Sequence, residues 1–137
     1  MVAGAERRRR VIDEALNDGV VKAAAEDVLA LIERSLDDDK AVDPVTIDLA
    51  GKTALADAMV VASGTSQRHI GAMADKLLER LKDAGVQGVL KEGGAESDWV
   101  LIDTGDVIVH LFKPETRDFY GIEKLWASPR SRQQASA

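Results

Sequence analysis

Trp99-Val100-Leu101-Ile102-Asp103-Thr104-Gly105-Asp106-Val107-Ile108-Val109-His110 is the stretch on which the fold turns. Two alternating runs flank Thr104-Gly105, and a two-residue link ending in glycine predicts a β-hairpin. With Asp103 opposite Asp106, Ile102 meets Val107, Leu101 meets Ile108 and Trp99 meets His110. Successive side chains of a strand point to opposite faces. Val100, Ile102, Val107 and Val109 therefore make one aliphatic face, suited to a core. Trp99, Leu101, Ile108 and His110 make the other, which ends in a cross-strand Trp–His pair.

Upstream of the hairpin, Asp57-Ala58-Met59-Val60-Val61-Ala62 is a short, nearly continuous apolar run, as expected of a central strand covered on both faces. Ser63-Gly64-Thr65-Ser66 breaks it, and Thr65 or Ser66 can cap the helix that follows. Ile70, Met73, Leu77, Leu81 and Ala84 recur at helical spacing until Gly85. Strand, cap and helix form the first half of a βαβ-like crossover, with Val86–Leu90 as the expected returning strand. Farther upstream, Val28 or Leu29, Ile32 and Leu36 predict an amphipathic helix over about 25–39. Val45, Ile47 and Leu49 alternate with polar residues, which predicts a half-buried strand ending at Gly51. Downstream, Pro114 opens a last helix, where its missing N–H costs nothing. Phe119, Ile122 and Trp126 share one face of it, and Arg117, Tyr120 and Lys124 run along another. Gly121 weakens it, so a bend or two short turns are compatible with the pattern. The expected fold class is α/β, a mixed sheet packed with helices.

The 137 residues, 45% of them apolar, suit one domain with one core. There is no cysteine, which excludes disulfides and thiolate metal sites. No apolar run reaches the roughly 20 residues of a membrane span. Residues 25–127 carry 11 basic and 20 acidic groups, a net charge of −9. Such a domain is a poor ligand for nucleic-acid phosphates and a good one for a basic partner. The domain is expected over 26–127. Residues 1–25 form an extension, partly helical or disordered, with a basic run at Arg7–Arg10 and no signal-peptide pattern. Residues 128–137 read as a frayed, polar tail.

Few catalytic constellations stand out. The Ser63–Ser66 turn suits a phosphate, but neither the Walker pattern nor GxGxxG is present, and capping accounts for the residues. No paired carboxylates sit on one strand to hold divalent metal. Ser66 and His69 lie three apart, but no orienting acid is evident. His110 reads as a packed or interface histidine. Trp99 lies on the strand face that the core does not need. It reads either as a protein-binding anchor beside a Tyr120–Lys124 stripe or as a residue packed under the last helix.

Three motifs carry a resemblance. They are Ser63-Gly64-Thr65-Ser66-Gln67-Arg68-His69, then Ser97-Asp98-Trp99 through His110, then Arg117-Asp118-Phe119-Tyr120-Gly121-Ile122-Glu123-Lys124-Leu125-Trp126. In this order, over about residues 26–127, the chain resembles the ribosomal silencing factor family, also called Iojap-related. The resemblance implies a nucleotidyltransferase-like fold without the catalytic acids, and a regulator rather than an enzyme, with no cofactor or metal. It implies binding to the large ribosomal subunit through its protein number fourteen, which blocks joining of the small subunit and lowers translation when nutrients are short. It implies a homodimer when free, while the acidic core and the absent export signal point to the bacterial cytoplasm and the net charge to little or no direct nucleic-acid binding. Carried onto this chain, the partner-binding residues are Trp99, Tyr120 and Lys124, joined by Asp98, His110, Arg117 and Glu123 of the same motifs. Gly121 departs from the acid common in relatives. Trp99→Ala is expected to leave the fold intact while weakening subunit binding by about 1–2 kcal/mol or more. Two alternatives stand beside this: a nucleotide- or phosphate-binding enzyme of nucleotidyltransferase type, and a generic dimerisation module.

Overall fold

The computed structural model describes residues 20–126. The expectations for residues 1–19 and 127–137 fall outside the described residues. Within them, α1 spans Val20–Asp38, β1 Val42–Asp48, β2 Ala58–Ser63 and α2 Gln67–Asp83. Then come β3 at Leu90–Glu92, β4 at Trp99–Asp103, β5 at Val107–Phe112, α3 at Pro114–Tyr120 and α4 at Ile122–Leu125. The strands form one mixed sheet in the order β1-β2-β5-β4-β3, with β2 and β5 parallel and the other pairs antiparallel.

The α/β expectation holds, and burial explains the strand order. Every residue of β2 and of β5 is buried. Parallel strands need both faces covered, so these two occupy the middle of the sheet. The sequence placed the returning strand at Val86–Leu90. The structure differs: residues 86–89 are irregular, with Gly88 at φ 71, and the parallel partner of β2 is β5. Only Leu90–Glu92 becomes a strand, and it is exposed on both sides, as suits the sheet edge it occupies against β4. At the opposite edge, β1 carries a bulge between Val42 and Val45, Asp43 at φ 48 and Pro44, all of which blunt an edge strand.

Two apolar clusters sandwich the sheet. On one side, Ile32 and Leu36 of α1 and Ile70, Met73, Leu77 and Leu81 of α2 pack on Val60, Val100, Ile102, Val107, Val109 and Leu111. On the other, Met59, Val61, Ile108 and Phe112 pack with Leu49 and Ala56, and Trp99, Leu101, Ile122 and Trp126 lean on them. Gly64 lets the end of β2 meet α2. A Cβ there would lie 2.7 Å from Ile70 Cγ1 and 3.2 Å from the Ile70 backbone nitrogen.

The hairpin forms with a different register from the one expected. Asp103 faces Ile108, Leu101 faces His110 and Trp99 faces Phe112, so the tip is Gly105-Asp106. Thr104 closes the turn: its N–H and Oγ1 both donate to the Val107 carbonyl at 2.9 Å, and Gly105 sits at φ 97. Each residue's partner moves by two positions, and a shift of two preserves the face of every side chain. The separation of aliphatic and Trp–His faces therefore survives the correction.

Candidate partner-binding surface

Trp99 begins β4 on the sheet face away from α1 and α2, and it is half-buried. Its ring centroid lies 4.8 Å from Phe112, 4.9 Å from Tyr120 and 5.7 Å from His110. The indole Nε1–H donates to His110 Nδ1 at 3.0 Å. An accepting Nδ1 places the neutral ring's proton on Nε2. Burial lowers the His110 pKa from 6.5 to about 4, so the ring is a neutral acceptor at neutral pH. The expected Trp–His contact thus exists as a diagonal hydrogen bond, with Phe112 in the directly opposed position. The packing expected beneath the last helix is present, since Trp99 meets Tyr120 at the end of α3, and the side chain stays half-buried rather than enclosed. Trp99→Ala is therefore not structurally silent, because it opens the cluster and strands a buried acceptor.

Gly121 breaks the last helix. It takes φ 54, its N–H bonds to the Arg117 carbonyl at 2.8 Å, and α4 starts immediately after it. The break divides the stripe drawn from spacing. Tyr120 (52% exposed) ends α3, and exposed Lys124 lies on α4. Arg117 turns inward instead and is 8% exposed. Its guanidinium holds both Glu123 carboxylate oxygens, the longer contact at 3.0 Å, and Nη1 donates to Ser63 Oγ at 3.0 Å. The hydrogen bond from Arg117 holds the Glu123 carboxyl below its ordinary pKa, and the two guanidinium–carboxylate contacts span the helix break. The face shared by Phe119, Ile122 and Trp126 is also divided: Ile122 and Trp126 lean on the core, and Phe119 is exposed.

Asp98 is exposed beside Trp99. Its Oδ1 accepts from Gln67 Nε2 at 2.7 Å, and its carbonyl accepts the Lys113 N–H at 2.9 Å. Gln67 also donates to the Glu96 carbonyl at 3.0 Å, so the first motif fastens the loop that presents the second. Sequence reasoning passed over Gln67, and its only signal was its place in a quoted motif.

The Ser66–His69 spacing is cap chemistry. Ser66 Oγ accepts the His69 backbone N–H at 3.1 Å. The His69 ring is engaged elsewhere: Nδ1 accepts from the Thr65 N–H at 2.9 Å and Nε2 donates to the Asp39 carbonyl at 2.8 Å. Ser66 and His69 are thus not paired as nucleophile and base. Among the described residues, no group of three or more His, Asp or Glu side chains is placed to hold a metal ion. No helix among them is long and apolar enough to cross a membrane.

Comparison with known proteins adds a family. A family model described as "Ribosomal silencing factor during starvation" matches residues 22–137. A ribosomal silencing factor from Zymomonas mobilis is 52% identical over 99 residues, 72% of this chain and 74% of that protein. A mouse protein named for mitochondrial assembly of the ribosomal large subunit is 37% identical over 91 residues, 64% of this chain and 40% of that one. The crystal structure of a Chromobacterium violaceum protein superposes with a TM-score of 0.70 at 39% identity, covering 75% of this chain and 86% of that one.

Proposed function

We propose a function from one premise: the chain belongs to the ribosomal silencing factor family. It binds the large ribosomal subunit through protein number fourteen, on the surface that faces the small subunit. Its bulk there excludes the small subunit, so translation falls when nutrients are short. It acts in the bacterial cytoplasm and is a homodimer when free. The action is steric, with no bond made or broken and no cofactor required.

The observation that carries this reading is Trp99, held by His110 and in tilted contact with the exposed ring of Tyr120. Aromatic anchors held rigidly before binding lose little entropy in a complex. Tyr120, Trp99, Lys124 and Asp98 make the contacts in this account. His110, Arg117 and Glu123 hold them in place, since His110 and Arg117 are buried and Glu123 is tied to Arg117. The net charge of −9 over residues 25–127 steers the domain towards a basic ribosomal protein. The large-subunit wording in the mouse relative's name supports the choice of subunit.

Co-sedimentation with isolated large and small subunits tests the proposal. The chain is expected to pellet with the large subunit only. Tyr120→Ala is the cleaner variant, because Tyr120 is half in solvent while Trp99 is part of the packing. It should melt within a few degrees of the parent and bind the large subunit more weakly by about 1–2 kcal/mol. Equal binding to both subunits, or to neither, would refute the proposal.

A further inference from the structure

Phe119 is 81% exposed, the highest value among the large apolar side chains of the described residues. Helical spacing had grouped it with Ile122 and Trp126, and the Gly121 break turns it outwards. It is not a ring on a loose loop. Its edge meets Tyr120 at a centroid distance of 5.0 Å, Tyr120 lies 4.9 Å from Trp99, and Trp99 lies 4.8 Å from Phe112, which is fully buried. Each distance falls within the range of favourable aromatic pairs. A row of rings therefore runs from the core to the solvent and ends at Phe119.

The surroundings of this ring select a partner. Glu115 lies one turn before Phe119 on the same helix face, Asp118 adjoins it, and both are exposed. Lys113 pairs with Glu115 at 3.6 Å, Arg117 is turned inwards against Glu123, and exposed Lys124 follows on α4, so the acids of α3 itself flank the ring and the bases lie at either end of the helix. An apolar tip flanked by Glu115 and Asp118, on a domain whose residues 25–127 carry a net charge of −9, is unsuited to phosphate and complements a basic protein that offers an apolar pocket.

The geometry points to Phe119 as a further anchor of the interface: it inserts into an apolar pocket of the basic large-subunit protein, with Glu115 and Asp118 on the rim. This rests on the function proposed above and adds to it a residue of the third motif that lies outside the partner-binding residues named there. The test measures the affinity of the full chain for isolated large subunits, with Phe119→Ala, Phe119→Leu and, as a control, Leu90→Ala. Leu90 is 60% exposed on β3, the edge strand at the far side of β4. Phe119→Ala should melt with the parent and raise Kd about tenfold or more, as truncation of an anchor does. Phe119→Leu should recover much of the affinity, and Leu90→Ala should match the parent. Parental affinity in Phe119→Ala would overturn the inference and leave the proposed function standing. Failure of the parent chain to bind large subunits would overturn both. Sedimentation velocity on the same variants completes the test: loss of self-association with unchanged subunit affinity would make Phe119 a dimer contact and overturn the inference.

Discussion

Acidification from neutral pH should weaken the fold first through His110, before the carboxylates titrate. Its ring is 4% exposed and accepts the Trp99 indole N–H on Nδ1. A proton on Nδ1 would remove that acceptor and charge a ring surrounded by Trp99 and Phe112. Burial accordingly lowers the pKa from 6.5 to about 4. The unfolded chain takes up the proton as pH falls through 6.5, and the folded chain refuses it until about 4. Stability from the neutral ring is complete above the unfolded value and drains away through that window. The loss comes to about 2 kcal/mol between pH 7 and pH 5, and to about 3 kcal/mol by the lower end of the window. His110→Gln supplies the matching control, because an amide oxygen accepts the indole N–H and does not titrate. Urea unfolding followed by circular dichroism at pH 7 and pH 5 gives both differences. The parent should lose about 2 kcal/mol more than His110→Gln. Losses that agree within about 0.5 kcal/mol would refute the burial argument.

Two further perturbations address the scaffold. Gly64→Ala forces a Cβ against Ile70 Cγ1 at 2.7 Å and against the Ile70 backbone nitrogen at 3.2 Å. Thermal melting should show a loss of about 1–3 kcal/mol, as overpacking costs, and a melt unchanged from the parent would contradict the close approach of β2 and α2. Arg117→Met leaves the Glu123 carboxylate and the buried Ser63 hydroxyl without their guanidinium partner. It should cost about 3 kcal/mol, and adding Glu123→Gln should restore part of that in chemical denaturation. No restoration would show that the pair is not the source of the loss.

Much of this molecule was legible before its structure was known, because period-2 and helical patterns report which face is buried. The β4–β5 faces and the buried positions of α2 follow from spacing alone. The hairpin register did not, since moving each partner by two leaves every face unchanged and the pattern cannot distinguish the choices. The returning strand was misplaced because Val86–Leu90 has strand-like residues, and only the double-sided burial of β5 shows where the parallel neighbour of β2 lies. At the candidate surface, the Trp99 face was told apart from the aliphatic one, but not recognised as the floor of a second apolar cluster, because its partners Leu49, Ala56, Ile122 and Trp126 come from distant segments. Arg117 was not recognised as buried, because an arginine at helical spacing looks solvated until a buried hydroxyl and a carboxylate are found around it. Phe119 was hidden by the opposite error. It shared a face with two core residues on paper, and the αL glycine at 121 removed it from that face.

The central claim is steric exclusion at the large subunit, and subunit joining tests it most directly. Large subunits are preincubated with increasing amounts of the protein, small subunits are added, and joining is followed by light scattering. The account predicts that joining falls in proportion to the large subunits occupied, that preincubating the small subunits instead has no added effect, and that Tyr120→Ala shifts the titration to higher concentration. Joining that proceeds unhindered on large subunits saturated with the protein would contradict it.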